Sequence, residues 1–180
     1  FVLSSTNAVS LSSAGTTTLV GNQLALGGRT LSLGGFSTAV AHTLGAGDAI
    51  ALTGAADFSG GLTLNGAGSS VTTGNFILSP TGLTISNGTV TVSGSGSVAA
   101  GASAVQVGAS GVLTFNSSAS PTLSCGAFTS TGTINNSALN LVAASGNVSA
   151  GGTYSAPKTN GTIRLTGNGT TIGGAAQIGN

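Results

Sequence analysis

Apolar residues in this chain recur at every second position in short runs, so that each run presents one apolar and one polar face when extended. The clearest are QLAL (23–26), TLSL (30–33), AIAL (49–52), GLTL (61–64), GLTI (82–85), TVTV (89–92), AVQV (104–107), VLTF (112–115), ALNL (138–141) and TIRL (162–165). Between them lie GG, NG, SG and TG steps, which tolerate tight bends. No window of a dozen residues shows the 3.6-residue helical period, so helix is expected below roughly 10%, with the Ala-rich stretch 98–104 as the place for any exception. The pattern predicts an all-β chain.

Two arrangements of these strands compete. A two-residue turn at Asn87-Gly88 pairs Ile85 with Val90 and Leu83 with Val92, placing all four on one face of an antiparallel hairpin. Gly27-Gly28 does the same for Leu24, Leu26, Leu31 and Leu33, with Arg29 opposite Leu26. Repetition of short strands between Gly or Asn bends argues instead for coils of roughly 20 residues stacked on one another, a β-solenoid. The favoured reading is a right-handed parallel β-helix; the alternative is an antiparallel β-sandwich with an N-terminal exchange strand. Residues 1–22 are read as an extended arm or first strand, and 23–180 as a single β domain.

The stretches NQLALGGRTLSLGG, GGLTLNG, GLTISNGTVTVSGSGS and STGTINNSALNLVAASGNVSAGG resemble the strand repeats of bacterial surface adhesins, the passengers of autotransporters and filamentous haemagglutinins. The resemblance spans most of residues 20–172 and rests on composition and alternation. It implies a right-handed parallel β-helix, secretion and an adhesive or structural role.

Composition narrows the function. Charged residues make up 3% of the chain, against roughly a quarter in ordinary domains, so hydration must come from Ser, Thr, Asn and the 32 glycines. A net charge of +1 offers no basic patch for phosphates and argues against nucleic acid as a partner. The same lack of charge removes repulsion between copies and favours self-association. No run reaches the ~18 apolar residues of a membrane helix, so no membrane-spanning segment is expected. The absence of Met fits a chain processed or cut from a longer one. With one cysteine, Cys125, no intrachain disulfide can form.

Acid–base chemistry has few carriers here: His42, Asp48, Asp57, Cys125, Tyr154, and no Glu. Asp48 and Asp57 fall at the ends of neighbouring runs and could form a carboxylate pair; capping of turns is the simpler role. His42 and Asp48 with some serine compose a triad only on paper, since no G-x-S-x-G elbow occurs. Cys125 in TLSCGAF is expected to be buried and inert. Gly94–Ala99 matches a relaxed dinucleotide fingerprint but is followed by alternation, not a helix. GAGD (45–48) matches one calcium-binding turn where stacked copies are needed. No enzyme, metal or cofactor is therefore expected, and replacing both Asp48 and Asp57 by Asn should leave folding nearly intact.

Asn87, Asn116, Asn135, Asn147, Asn160 and Asn168 stand in Asn-X-Ser/Thr triplets and are candidate glycosylation acceptors. Thr-x-Thr occurs at 16/18, 89/91, 129/131 and 131/133, too irregularly along the sequence to suggest an ordered array. Alternation at Phe1, Leu3, Val9 and Leu11 offers an apolar edge for contact with a second subunit. The function expected is a structural subunit of an extracellular surface fibre or a rod segment of a secreted adhesin, self-associating through strand pairing. The alternative is an ice- or carbohydrate-binding β-solenoid, and a polysaccharide-active β-helix enzyme ranks below both.

Overall fold

A computed structural model describes residues 15–21, 23–74, 80–93, 97–116 and 122–135, and the backbone of strand residues 77–79, 136, 140–143, 148–150, 154–155, 163–165 and 172–173. Among them the chain forms strands and no helix. In chain order these are β1 (Thr16–Leu19), β2 (Thr30–Leu33), β3 (Gly35–Thr38), β4 (His42–Leu44), β5 (Ala49–Leu52), β6 (Ala56–Phe58), β7 (Leu62–Thr73), β8 (Ile77–Pro80), β9 (Leu83–Ser93) and β10 (Ser97–Ala99). They continue with β11 (Val105–Asn116), β12 (Thr122–Cys125), β13 (Phe128–Ser130), β14 (Thr133–Asn136), β15 (Asn140–Ala143), β16 (Val148–Ala150), β17 (Tyr154–Ser155), β18 (Ile163–Leu165) and β19 (Ile172–Gly173). The stretch 98–104 is not a helical exception: it is the end of β10 followed by a turn.

Among the described residues every strand pair is parallel. One sheet runs β1-β3-β6-β8-β10-β12-β15-β18, and the other runs β2-β5-β7-β9-β11-β13-β16-β19, with β4 joined to β7 and β14 to β11. The chain alternates between the two sheets and returns one strand further along each time, which is a β-solenoid. β7, β9 and β11 are long because each covers two arms of its coil: the first half of β7 pairs with β4, the second with β5. Coil length is not constant. The chain between the partners Leu123 and Leu141 is shorter than that between the partners Val98 and Leu123, although both pairs belong to the same sheet.

The core is a set of ladders in which one inward position repeats from coil to coil. Leu31, Ile50, Val71, Val90, Leu113 and Ile134 are consecutive partners in one such row, and all are buried. Leu44, Leu64, Ile85 and Val107 form a second. Each such side chain contributes about 1.5–3 kcal/mol by leaving water. That gain recurs in each coil, so the stack is held by neighbours rather than by one central cluster.

The hairpin reading of Asn87-Gly88 is overturned. Residues 83–93 are one strand that pairs in parallel with β7 on one side and β11 on the other. The inward set is nonetheless the expected one, since Leu83, Ile85, Val90 and Val92 are all buried. Asn87-Gly88 shifts the alternation by one residue at a bend within the coil, and Gly88, at φ 137°, supplies a conformation L residues rarely adopt. A hairpin and a bend flip the facing pattern alike; only the partner strand distinguishes them. Gly27-Gly28 follows the same logic, for β2 pairs in parallel with β5. Arg29 donates to the carbonyls of Leu26 and Gly27 across that bend.

Candidate functional site

Among the described residues, His42 and Asp48 are committed to the architecture. His42 is 1% exposed at the start of β4. Its Nε2 accepts the Leu24 N–H at 3.2 Å, and its Nδ1 lies 2.9 Å from the Val40 carbonyl. The tautomer that satisfies both carries its proton on Nδ1. Phe36 and Phe58 pack on the ring, with centroids 5.9 and 6.3 Å away. The His42 backbone N–H meanwhile donates to Gly61 of the next coil. This side chain thus ties one coil to the one before it, and neither nitrogen is left to serve a nucleophile.

Asp48 closes the GAGD turn. Its Oδ1 accepts the Gly28 N–H at 2.7 Å, and its Oδ2 accepts the Gly45 N–H at 2.9 Å. Gly28 belongs to the preceding coil, so this carboxylate also staples neighbours together. Asp57 lies on β6 in the other sheet, exposed, with Ser37 Oγ 3.5 Å from Oδ2. The two aspartates are not brought together, and the carboxylate pair conceived from sequence does not form. The expectation that both tolerate Asn needs correction for Asp48. Asn there would turn an NH2 group toward a backbone N–H, so Asp48→Asn should cost about 1–3 kcal/mol. Asp57→Asn should stay within ~0.5 kcal/mol of the parent. Urea melts of the two single variants check this, and equal midpoints would contradict the assignment.

Cys125 is wholly buried on β12. In the order β3-β6-β8-β10-β12 it lies four strands along from β3, the strand preceding His42, a separation of roughly 19 Å at the usual strand spacing. No thiol–imidazole pair exists. Desolvation pushes the thiol from 9.0 up to about 11, so the folded chain holds this proton after the unfolded chain has lost it. Stability from this group is therefore present below pH 9 and falls as pH rises from about 9 to 11. Iodoacetamide at pH 8 should label Cys125 slowly in the native chain and rapidly in denaturant. Equal rates would refute the burial.

Ser97–Ala99 is strand β10, so the 94–99 fingerprint lacks the helix a dinucleotide pyrophosphate needs. Tyr154 is the register partner of Ile134. Among the described residues no group of three or more His, Cys, Asp or Glu gathers, and no helix is long and apolar enough to cross a membrane. Of the glycosylation candidates, Asn116 is exposed at the end of β11, Asn87 is half-buried, and Asn135 is half-buried with Nδ2 donating to Thr114 Oγ1 at 3.3 Å. Asn147, Asn160 and Asn168 lie outside the described residues, as do Phe1, Leu3, Val9 and Leu11.

The outward positions of one sheet form an arrangement the sequence concealed. Thr30, Ala49, Ser70, Thr89, Val112 and Thr133 are successive partners in one column. Two residues further along each strand, Ser32, Ala51, Thr72, Thr91, Thr114 and Asn135 make a second. All are half-buried or exposed. Strand geometry sets the grid at ~4.8 Å between coils and ~6.7 Å between columns. Of the four Thr-x-Thr pairs, 89/91 lies wholly in this grid and Thr133 joins it, while Thr16 and Thr18 sit on the other sheet and Thr129 on β13. Other coils contribute T-L-S, S-V-T or V-L-T and escape a search for one motif.

The ladders and the two-sheet winding define a parallel β-solenoid. No family model, no curated protein and no solved structure matches the chain.

Proposed function

We propose that this chain is a structural rod segment of an extracellular surface fibre or secreted adhesin, without enzymatic activity, that associates with further copies through strand pairing. The observation that supports this most directly is the use of its few reactive side chains. His42 and Asp48 spend their polar atoms on backbone groups that join one coil to the next, and Cys125 is sealed in the core. A chain whose scarce functional groups serve coil stacking is suited to span distance and present a surface. The adhesin-like strand repeats and the nearly uncharged composition agree with secretion and self-association.

Negative-stain microscopy of the 180-residue chain should show concentration-dependent polymers. Deleting residues 1–12, which carry Phe1, Leu3, Val9 and Leu11, should abolish them while keeping the β signal in circular dichroism. Monomer before and after truncation would refute self-association, and a polysaccharide-degrading activity lost in Asp48→Asn,Asp57→Asn would refute the non-enzyme reading.

A further inference from the structure

The two-column grid carries hydroxyls at Thr30, Ser32, Ser70, Thr72, Thr89, Thr91, Thr114 and Thr133, and no charged or aromatic residue. Position along both axes is fixed by backbone hydrogen bonds, because register and strand rise set the repeats. The threonines are β-branched and restricted at χ1, so their hydroxyls and methyls hold position as well. Unequal coils leave the grid undisturbed. Val71, Val90 and Leu113, the inward residues between the columns, stay in register although the chain from Val90 to Leu113 is longer than that from Val71 to Val90.

We infer that this face binds ice, through the array centred on Ser70, Thr72, Thr89, Thr91, Val112 and Thr114. An ice plane is a fixed two-dimensional lattice of water oxygens, and a ligand of that kind rewards weak contacts only when they repeat on a matching rigid grid. Each hydroxyl–water contact is worth little alone, but many made at once by an already ordered surface add without further loss of freedom. Alternating methyls and hydroxyls suit a surface that must order water next to it without competing charges. Carbohydrate is disfavoured by the same surface. Crystalline polysaccharides offer flat sugar faces that call for exposed rings, whereas Phe36, Phe58, Phe115 and Phe128 are all buried. A protein partner would call for aromatic or Arg anchors at the centre of the patch, where Val112 is the largest apolar side chain on offer. Ice binding is independent of rod assembly: a monomer could bind ice, and a fibre could fail to.

The experiment uses the 180-residue chain and ice itself as the probe. Ice-affinity partitioning and inhibition of recrystallisation are measured for the parent, for Thr72→Lys and Thr91→Lys in the centre of the grid, and for Ala99→Lys, exposed on the opposite sheet. Each outward Lys should leave the β signal and melting temperature close to the parent's, which shows that the variants fold. The expected result is enrichment of the parent in ice, loss of it in both grid variants, and retention in Ala99→Lys. A parent that stays in the liquid overturns the inference. So does ice binding that survives both grid substitutions. Binding to cellulose or chitin, or dimerisation by sedimentation, that is lost in the grid variants without any ice enrichment would assign the face to sugar or to a second copy and overturn it equally.

Discussion

Replacing Gly111 by valine should break the stack near its middle and lower stability by about 4 kcal/mol or more. Gly111 pairs with Gly88 in the neighbouring coil. A Cβ at 111 would collide with the Ile85 carbonyl oxygen, with the Ile85 carbonyl carbon at 3.0 Å and Cγ2 at 3.1 Å just behind it. Ordinary overpacking is relieved by side chains that move. Here the obstacle is backbone, held by the hydrogen bonds that fix the coil spacing, so relief requires breaking the ladder between β9 and β11. A solenoid is stabilised by nearest neighbours, so the two sides of the break should melt separately, giving two transitions where the parent shows one. Gly15→Ala serves as control, because nothing lies within 4 Å of a Cβ there. Its midpoint should stay within ~0.5 kcal/mol of the parent. A single unshifted transition for Gly111→Val would show that the coils are not packed as described.

The second large effect is expected for Phe58→Ala, at about 3–5 kcal/mol. Phe58 is fully buried on β6, its ring 5.3 Å from Phe36 and 6.3 Å from His42. Truncation removes a wall of the pocket that holds the His42 ring in line with the Leu24 N–H and the Val40 carbonyl. The loss should therefore exceed cavity formation alone and reach into the preceding coil. Phe58→Leu keeps much of the volume and should cost about 1 kcal/mol. Hydrogen exchange offers the sharper reading: in Phe58→Ala the Leu24 amide should lose protection before amides of β11. Loss of protection at β11 first would contradict a joint centred on His42.

The sequence determined more of the interior than of the path. Where described, the named runs fall on strands or, for QLAL, on buried Leu24 and Leu26, because alternation over four or more residues is dictated by which face must leave water. Those runs belong mostly to the sheet containing β5, β7, β9 and β11. The facing sheet was largely illegible: β3, β6 and β10 are three or four residues long, too short for a period to show. Their inward sets are a single pair, such as Ala56 with Phe58, or one residue, Val98 in β10. The reactive residues were legible in what they would not do, but not in what they do. That His42 would accept a backbone N–H 18 residues earlier, or Asp48 one 20 residues earlier, depends on which coil lies beside which.

Tertiary structure alone decided parallel against antiparallel pairing, and with it the outer face. A shift in alternation at Asn87-Gly88 is the same string of residues whether the chain reverses or merely bends, since both keep Leu83, Ile85, Val90 and Val92 inward. Once the coils stack in parallel, unequal loops between strands no longer matter to the register. Ser70, Thr89 and Val112, unequally spaced in sequence, then fall into one straight column. Hydrophobic alternation decides which side chains avoid water; the backbone hydrogen bonds between coils decide which of the remaining ones become neighbours.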